Sequence, residues 1–300
     1  MFRTACPSMR GWVIGALAGA LAFGAFAEEP KAPPLSGGGD VVLAADLLKT
    51  GLYLITGGGS NTLLRLNASG SILVDGKQPG AYRALMSQVR KISKLSDLPA
   101  RVLIVTDHHA HHSGNHAQFL AAGIAVIAQD NAKPRLPPSP PAGAKPVAPV
   151  VTFDREYTLR MGGVELRLYH FGNAHTDNDT VVLFPDMKLV AVGDLYSPDA
   201  PEPDFAGGGS LAGWAGVLDQ LLKLDFELVV PSVGPVATRA DLVAYKLKLE
   251  TLVGRAAALV KQGVVKDQLL AQLKTDDLGW RLNFTADQID RLYAELSAAR

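Results

Sequence analysis

The chain has 300 residues, 48% of them hydrophobic and only 19% charged, so it can bury a sizeable core and is not a disordered chain. Its 29 basic and 29 acidic side chains cancel, which leaves neither the basic stripe of a nucleic-acid binder nor an acidic solvating tail. The single cysteine, Cys6, excludes a disulfide framework and thiolate metal ligation by the body of the chain.

Residues 1–27 read as a secretory signal peptide. Arg3 and Arg10 supply a positive start, "GWVIGALAGALAFGAFA" an apolar stretch of small residues, and Ala25-Phe26-Ala27 a cleavage site. An uncleaved anchor is the competing reading, but the run is barely long enough to span a bilayer. Cys6 lies too far upstream of the cleavage site to carry a lipid. The expected mature chain starts at Glu28 without a membrane segment, periplasmic or secreted, and is close to neutral once Arg3 and Arg10 are gone. Residues 28–40, "EEPKAPPLSGGGD", read as a linker. Residues 41–300 read as one domain with a helical extension from about 238.

"GLYLIT", "NTLLRLN" and "SILVDGK" read as strands separated by Gly, Asn and Ser turns. Gly57–Gly59 do not make a phosphate loop, because no Gly-Lys-Ser/Thr follows. "GAYRALMSQVRKISKL" repeats Leu85, Val89 and Ile92 at helical spacing. "RVLIVT" is a continuous apolar run, expected of a strand buried on both faces. "NHAQFLAAG" predicts a helix and "IAVIAQ" another strand. Residues 133–149 hold seven prolines and read as a surface loop. "EYTLRM" and "VELRLYHF" flank Gly-Gly as the arms of a hairpin. "DTVVLFP", "KLVAVGD" and "FELVVP" follow as strands. "RADLVAYKLKLETLVGRAAALVKQG" is amphipathic, and Thr285 with Gln288 forms a capping box for a last helix. The order of elements suggests two sheets packed face to face with helices outside.

The chemistry concentrates in "TDHHAHHSGN", residues 106–115. Of seven histidines in the chain, His108, His109, His111 and His112 fall here and His116 follows at once, with only His170 and His175 elsewhere. Imidazole is the commonest metal ligand, with carboxylate its usual partner where thiols are absent. The cluster sits between an apolar strand and a helix, where α/β architectures keep their chemistry. That position favours a metal site over a solvated polar loop or a metal-trapping tail.

The stretch resembles the metallo-β-lactamase superfamily, whose signature is Thr-His-x-His-x-Asp-His-x-Gly. His112-Ser113-Gly114 anchors the match and places Thr106 on the threonine. Asn61-Thr62 with "ILVDGK" resembles the family's first hairpin and its strand-ending aspartate, here Asp75. "NAHTDND" resembles the segment that brings a further histidine, here His175. "VAVGD" resembles the strand delivering the bridging aspartate, here Asp194. "VVPSVGPV" resembles the segment that carries the last histidine. Over residues 50–240 the resemblance implies an α+β, four-layer αββα sandwich with a metal site along one edge.

His109, His112, His175 and Asp194 match the family. Asp107 stands where a histidine is usual, His111 where an aspartate is usual, and Val233 where the last histidine is usual, after Ser232 in place of glycine. The resemblance thus implies one or two Zn²⁺ ions held by Asp107, His109, His111, His112, His175 and Asp194. Asp107, His109 and His175 also match the two-histidine, one-carboxylate face of non-haem Fe²⁺ sites. His108 and His116 have no role in the signature, His170 is expected to be packed, and Asp179 supports the ligand loop. The implied activity is metal-dependent hydrolysis. On that implication metal-bound hydroxide would attack an ester, thioester, lactone or lactam of a small-molecule substrate, with Asp194 positioning the water or second ion and His111 as a proton shuttle where it does not ligate metal. Two alternatives stand beside it: a binding or scaffold protein that lost its chemistry, and an iron oxidoreductase. Phe205 and Trp214, flanking a flexible "AGGGS", are candidate pocket walls.

Overall fold

Two sheets carry the architecture, and the alternation within their apolar strands sets the layering. The computed structural model describes residues 41–93, 99–136 and 148–298. The expected signal peptide and linker lie outside the described residues. The first sheet runs in chain order: β1 (Ala44–Lys49), β2 (Leu52–Thr56), β3 (Thr62–Asn67), β4 (Gly70–Val74), β5 (Ala100–Ile104), β6 (Ala125–Gln129) and β7 (Val150–Phe153). It is antiparallel up to β4 and parallel from there on. Parallel neighbours need a crossover. Helix α1 (Tyr82–Ile92) provides one between β4 and β5, and α2 (Ala110–Ser113) with α3 (His116–Ala121) the next.

The second sheet contains β8 (Glu156–Met161), β9 (Val164–Tyr169), β10 (Val181–Phe184), β11 (Leu189–Gly193), β12 (Leu228–Pro231) and β13 (Ala237–Thr238). Its spatial order is β13-β12-β11-β10-β9-β8, with only β11 and β12 parallel. Helix α4 (Leu211–Leu221) makes that crossover. The Gly162-Gly163 turn between β8 and β9 has both φ angles positive, +56° and +83°, which suits the twist of a two-residue hairpin.

Period-two alternation then divides each strand between two cores. Ile72, Val74, Val102 and Ile104 face the second sheet, and Val182, Phe184, Leu189 and Ala191 face back. Leu73, Leu103 and Val105 point the other way, against Leu85 and Val89 of α1 and Phe119 and Leu120 of α3. On the far side, Val181, Leu183, Val190 and Val192 pack under α4 and the C-terminal helices. The layers are therefore helix, sheet, sheet, helix, the αββα sandwich that the sequence implies. Truncating one fully buried leucine in such a core costs about 2–5 kcal/mol.

The C-terminal helices are α5 (Arg239–Lys261), α6 (Lys266–Gln272) and α7 (Ala286–Ala298). Thr238 and Asp241 make a reciprocal cap for α5. Thr285 and Gln288 do the same for α7, the Thr285 N–H donating to Gln288 Oε1 at 2.8 Å. Strands β1 and β7 and helices α4 and α6 have no counterpart in the sequence reading. Part of the proline-rich 133–149 segment lies outside the described residues, but its start, Lys133–Arg135, is a 3-10 turn and not an irregular loop. Among the described residues no helix is long and apolar enough to cross a membrane.

Candidate metal centre

The site grows from the C-terminal ends of β5 and β11, one strand from each sheet. Asp75, at the end of β4, accepts hydrogen bonds from the Thr106 N–H at 2.9 Å and from the Thr106 hydroxyl. Gly193, at the end of β11, has φ +54°, and a Cβ there would lie 2.6 Å from Thr106 Oγ1. Only glycine lets the two strand ends meet this closely. Past Thr106 the Asp107 carboxylate accepts the His109 N–H at 2.7 Å, a local turn that starts α2 and aims His111 and His112. The Ser113 hydroxyl donates to the carbonyls of His108 and His109, and the Ser60 hydroxyl to that of His111.

The second sheet delivers the remaining donors. The Thr180 N–H donates to the Thr106 carbonyl at 2.7 Å, drawing the loop before β10 against the histidine loop. Within that loop Asp179 accepts the Thr176 N–H and hydroxyl, and burial pushes its carboxyl up to about 7. His175 is held through Nδ1 on the Glu202 carbonyl at 2.7 Å, leaving Nε2 to face the cluster. Trp214 backs it, its ring 5.9 Å away and steeply inclined.

All six sequence-named residues converge. Asp107, His109, His175 and Asp194 offer one ligand atom each within 4.8 Å of one another, and His111, His112 and Asp194 form a second such group. In the first group His109 Nδ1 lies 3.1 Å from Asp107 Oδ1 and 3.4 Å from His175 Nε2. His175 Nε2 is 3.3 Å from Asp194 Oδ2 and 3.8 Å from Asp107 Oδ2. In the second, Asp194 Oδ2 stands 3.0 Å from His111 Nε2 and 3.3 Å from His112 Nε2. One carboxylate oxygen thus faces three imidazoles. Its other oxygen accepts the Ser232 hydroxyl.

These residues fit a divalent ion. Zinc–nitrogen and zinc–oxygen bonds of about 2.0–2.1 Å place tetrahedral ligand atoms roughly 3.3–3.4 Å apart, the spacing these donors already have. Asp107 Oδ2 supplies a second argument. It is buried, has no hydrogen-bond partner, and has His112 Nε2 and His175 Nε2 at 3.6 and 3.8 Å. A buried carboxylate oxygen left so is costly unless a cation completes it. Support from behind is also present: His112 Nδ1 lies 2.9 Å from Asp75 Oδ2, a carboxylate that orients the ring.

The electrostatics say the same. Burial works to lower the His175 imidazole, but Asp194 and Asp107 overcome it and raise it to about 10. His112 is raised well above the ordinary range, burial being outweighed by Asp107, Asp75 and Asp194. Burial opposes ionisation of Asp107 and Asp194, yet the surrounding imidazoles hold both below the usual carboxylate range. Without a metal, protons on the histidines balance the carboxylates.

Several expectations need correction or extension. Phe205 and Trp214 do not wall a pocket: both are buried in the core under the C-terminal helices, with Trp214 Nε1 donating to the Leu195 carbonyl. The "AGGGS" stretch is a closely packed turn. Added Cβ atoms at Gly207, Gly208 and Gly209 would run into Asp204, Asp177 and the His175 carbonyl. Val233 brings no donor and is 57% exposed. His116 is buried, with Nδ1 on the Ser113 carbonyl, and His170 Nδ1 meets the Asp179 carbonyl. Asp204 escaped sequence reasoning. Its Oδ2 lies 3.2 Å from His109 Nε2, and nothing in "PEPDF" marks it.

Solved structures share the fold. A metallo-beta-lactamase from Pontibacter korlensis superposes with a TM-score of 0.59 at 21% identity, covering 70% of this chain and 99% of its own. The FIM-1 enzyme from Pseudomonas aeruginosa, in its mono-zinc form, gives 0.58 at 21% identity over 71% of this chain and 96% of its own. The inverting sec-alkylsulfatase Pisa1 from Pseudomonas sp. gives 0.62 at 16% identity, over 86% of this chain and 49% of its own. No curated protein matches by sequence. The sequence pattern of the metallo-beta-lactamase superfamily matches residues 54–233, more than half of the chain, and the chain belongs to that superfamily.

Proposed function

We propose that this protein is an exported metal-dependent hydrolase whose principal ion is held by Asp107, His109, His175 and Asp194. The observation that carries the reading is Asp107 Oδ2, a buried carboxylate oxygen without a hydrogen bond, facing two imidazole nitrogens. A divalent ion there supplies Lewis acidity toward a substrate oxygen and activates water at neutral pH. The chain does the rest. The Glu202 carbonyl and Asp75 fix the rings of His175 and His112 so that their Nε2 atoms face inward. The Ser232 hydroxyl holds Asp194 Oδ1 and leaves Oδ2 for the cluster. His111 Nε2 lies 3.0 Å from Asp194 Oδ2, and its side chain is 31% exposed, so it can pass a proton between the site and solvent.

The proposed substrates are small molecules with an ester, thioester, lactone or lactam bond, and zinc is the proposed ion. The signal-like residues 1–27 support export, to the periplasm or beyond. The test is metal content and turnover together. Purified mature protein should carry zinc near one ion per chain, and hydrolyse a chromogenic ester or β-lactam until a chelator strips it. Protein that equilibrates with zinc and holds none, or turnover indifferent to chelation, overturns the reading. Val233 favours a second reading, binding without catalysis. Bound zinc with no turnover of either probe is its signature, and stoichiometric iron instead points to the oxidoreductase.

A further inference from the structure

His109 presents a nitrogen to each side. Nδ1 faces the inner donors, whereas Nε2 faces Asp204 Oδ2 at 3.2 Å. The same Asp204 oxygen lies 3.7 Å from His108 Nε2. The rings of His108 and His109 stack, with centroids 4.5 Å apart and planes 27° from parallel. Ligand atoms of these three residues all fall within 4.8 Å of one another. The spacing brackets the roughly 3.3–3.4 Å that separates tetrahedral zinc ligands.

A second observation points the same way. A Cβ at Gly207 would collide with Asp204 Oδ2 and approach His108 Cε1 to 2.9 Å, so the glycine keeps open the face these donors share. The Gly207 N–H meanwhile donates to Asp204 Oδ1 at 2.9 Å, which turns Oδ2 toward both imidazoles. His108 is steadied by Asn178, whose Oδ1 accepts the His108 N–H at 3.0 Å. Side-chain exposures of 14%, 29% and 24% for His108, His109 and Asp204 set this group nearer solvent than Asp107 and His112, at 1% and 0%.

We propose that His108, His109 and Asp204 form an outer site for a borderline divalent ion such as Zn²⁺, sharing only His109 with the two inner donor groups. Two imidazoles and one carboxylate suit zinc or its transition-metal neighbours, and poorly suit Ca²⁺ or Mg²⁺. Water completes the coordination, as at any three-ligand zinc site. The outer ion is the weaker one. Its donors lie nearer solvent, and one of them, His109, is already turned through Nδ1 to the inner group.

Zinc counting by equilibrium dialysis tests this, and is independent of the hydrolytic reading. Across rising free Zn²⁺ the unmodified protein should show the inner ions, one or two per chain, and then one further, weaker ion. His108→Ala, Asp204→Asn and Gly207→Ala should each weaken that last class by more than about tenfold and keep the inner ions. His175→Ala should do the reverse. Should Asp204→Asn also disturb the inner ions, His108→Ala decides, because His108 gives no donor to the inner groups. Absence of any class beyond the inner ions in unmodified protein, or a last class unchanged in His108→Ala, overturns the proposal.

Discussion

The two inner donor groups share Asp194, yet they are built to different standards. The first takes Asp107, His109 and His175 from both sheets, and its Asp107 is almost completely buried. Each of its rings has a fixed far side: His175 on the Glu202 carbonyl, His109 on Asp204. The second takes only His111 and His112, neighbours on one short helix, with His111 almost a third exposed. Its missing member is Val233, whose side chain points to solvent instead of bringing a nitrogen. The difference shows what exchanging Asp107 and His111 does. It leaves the first group with four donors, whereas loss of the last histidine leaves the second with three.

The largest expected effect breaks the comparison directly. His175→Ala removes an imidazole from the complete group and should lower tight zinc affinity by more than the roughly 10–100-fold that losing a supporting group costs. His111→Ala should reduce tight affinity by less than about tenfold, within what a neighbouring group contributes. Chelator competition on both variants reads the ratio. Equal losses would mean that the two groups act as one site and that the ranking is wrong. Far-UV circular dichroism should match in all three proteins, because the cores lie in and around the sheets.

The unequal build also explains how much of the site was legible in the sequence. Asp107, His109, His111 and His112 are contiguous, and the apolar run before them marks a buried strand, so chemistry and context could be read together. His175 and Asp194 were found through motif order, which tracks the strand ends that meet at Gly193 and Thr106. Asp204 was not, because its approach to His109 depends on a three-glycine turn folding back, which no periodicity encodes. The sheets were legible where strands are buried on both faces, as in "RVLIVT". Strand β1 was missed because "AADLLK" is an exposed edge with no alternation. Strand β7 was missed because its four residues follow directly on the proline-rich segment.

A smaller effect concerns pH and sharpens the role of the first group. His175 in the metal-free protein sits at about 10, against an ordinary imidazole near 6.5. The folded state therefore holds a proton that the unfolded chain has already lost between these values. Its contribution to stability is fully present below about pH 6.5 and disappears as pH rises through 10. His112, shifted in the same direction, adds to the trend. Chelated protein should lose melting temperature as pH is raised from 6.5 to 10, whereas zinc-loaded protein should lose less, the ion having replaced the protons. Parallel melting curves with and without zinc would mean that the metal does not sit among these carboxylates.

The smallest effect separates a compensated exchange from independent decay at Asp107 and His111. Asp107 does two things in the structure: one oxygen accepts the His109 N–H and forms the turn, and the other lacks a hydrogen bond and faces His112 and His175. Asp107→His alone puts an imidazole in that buried place, removes the turn acceptor, and leaves His111 where the family has a carboxylate. His111→Asp alone replaces the imidazole whose Nε2 lies 3.0 Å from Asp194 Oδ2 with a second carboxylate on the same side of the site. Both single changes should weaken zinc binding, because each upsets a charge balance that the other position supplies. The double change restores three imidazoles to the first group and a carboxylate to the second, and should bind at least as well as the unmodified protein. Adding Val233→His, with Ser232 kept because its hydroxyl holds Asp194 Oδ1, should then strengthen the weaker inner ion. Asp107 and His111 are linked through His112 and Asp194, and residues in one such network show interaction energies of about 0.5–3 kcal/mol, so the cycle should miss additivity by that amount in favour of the double variant. Chelator competition on the four proteins measures it, and gains from both single reversions that sum to the double would make Asp107 and His111 relics of decay rather than partners.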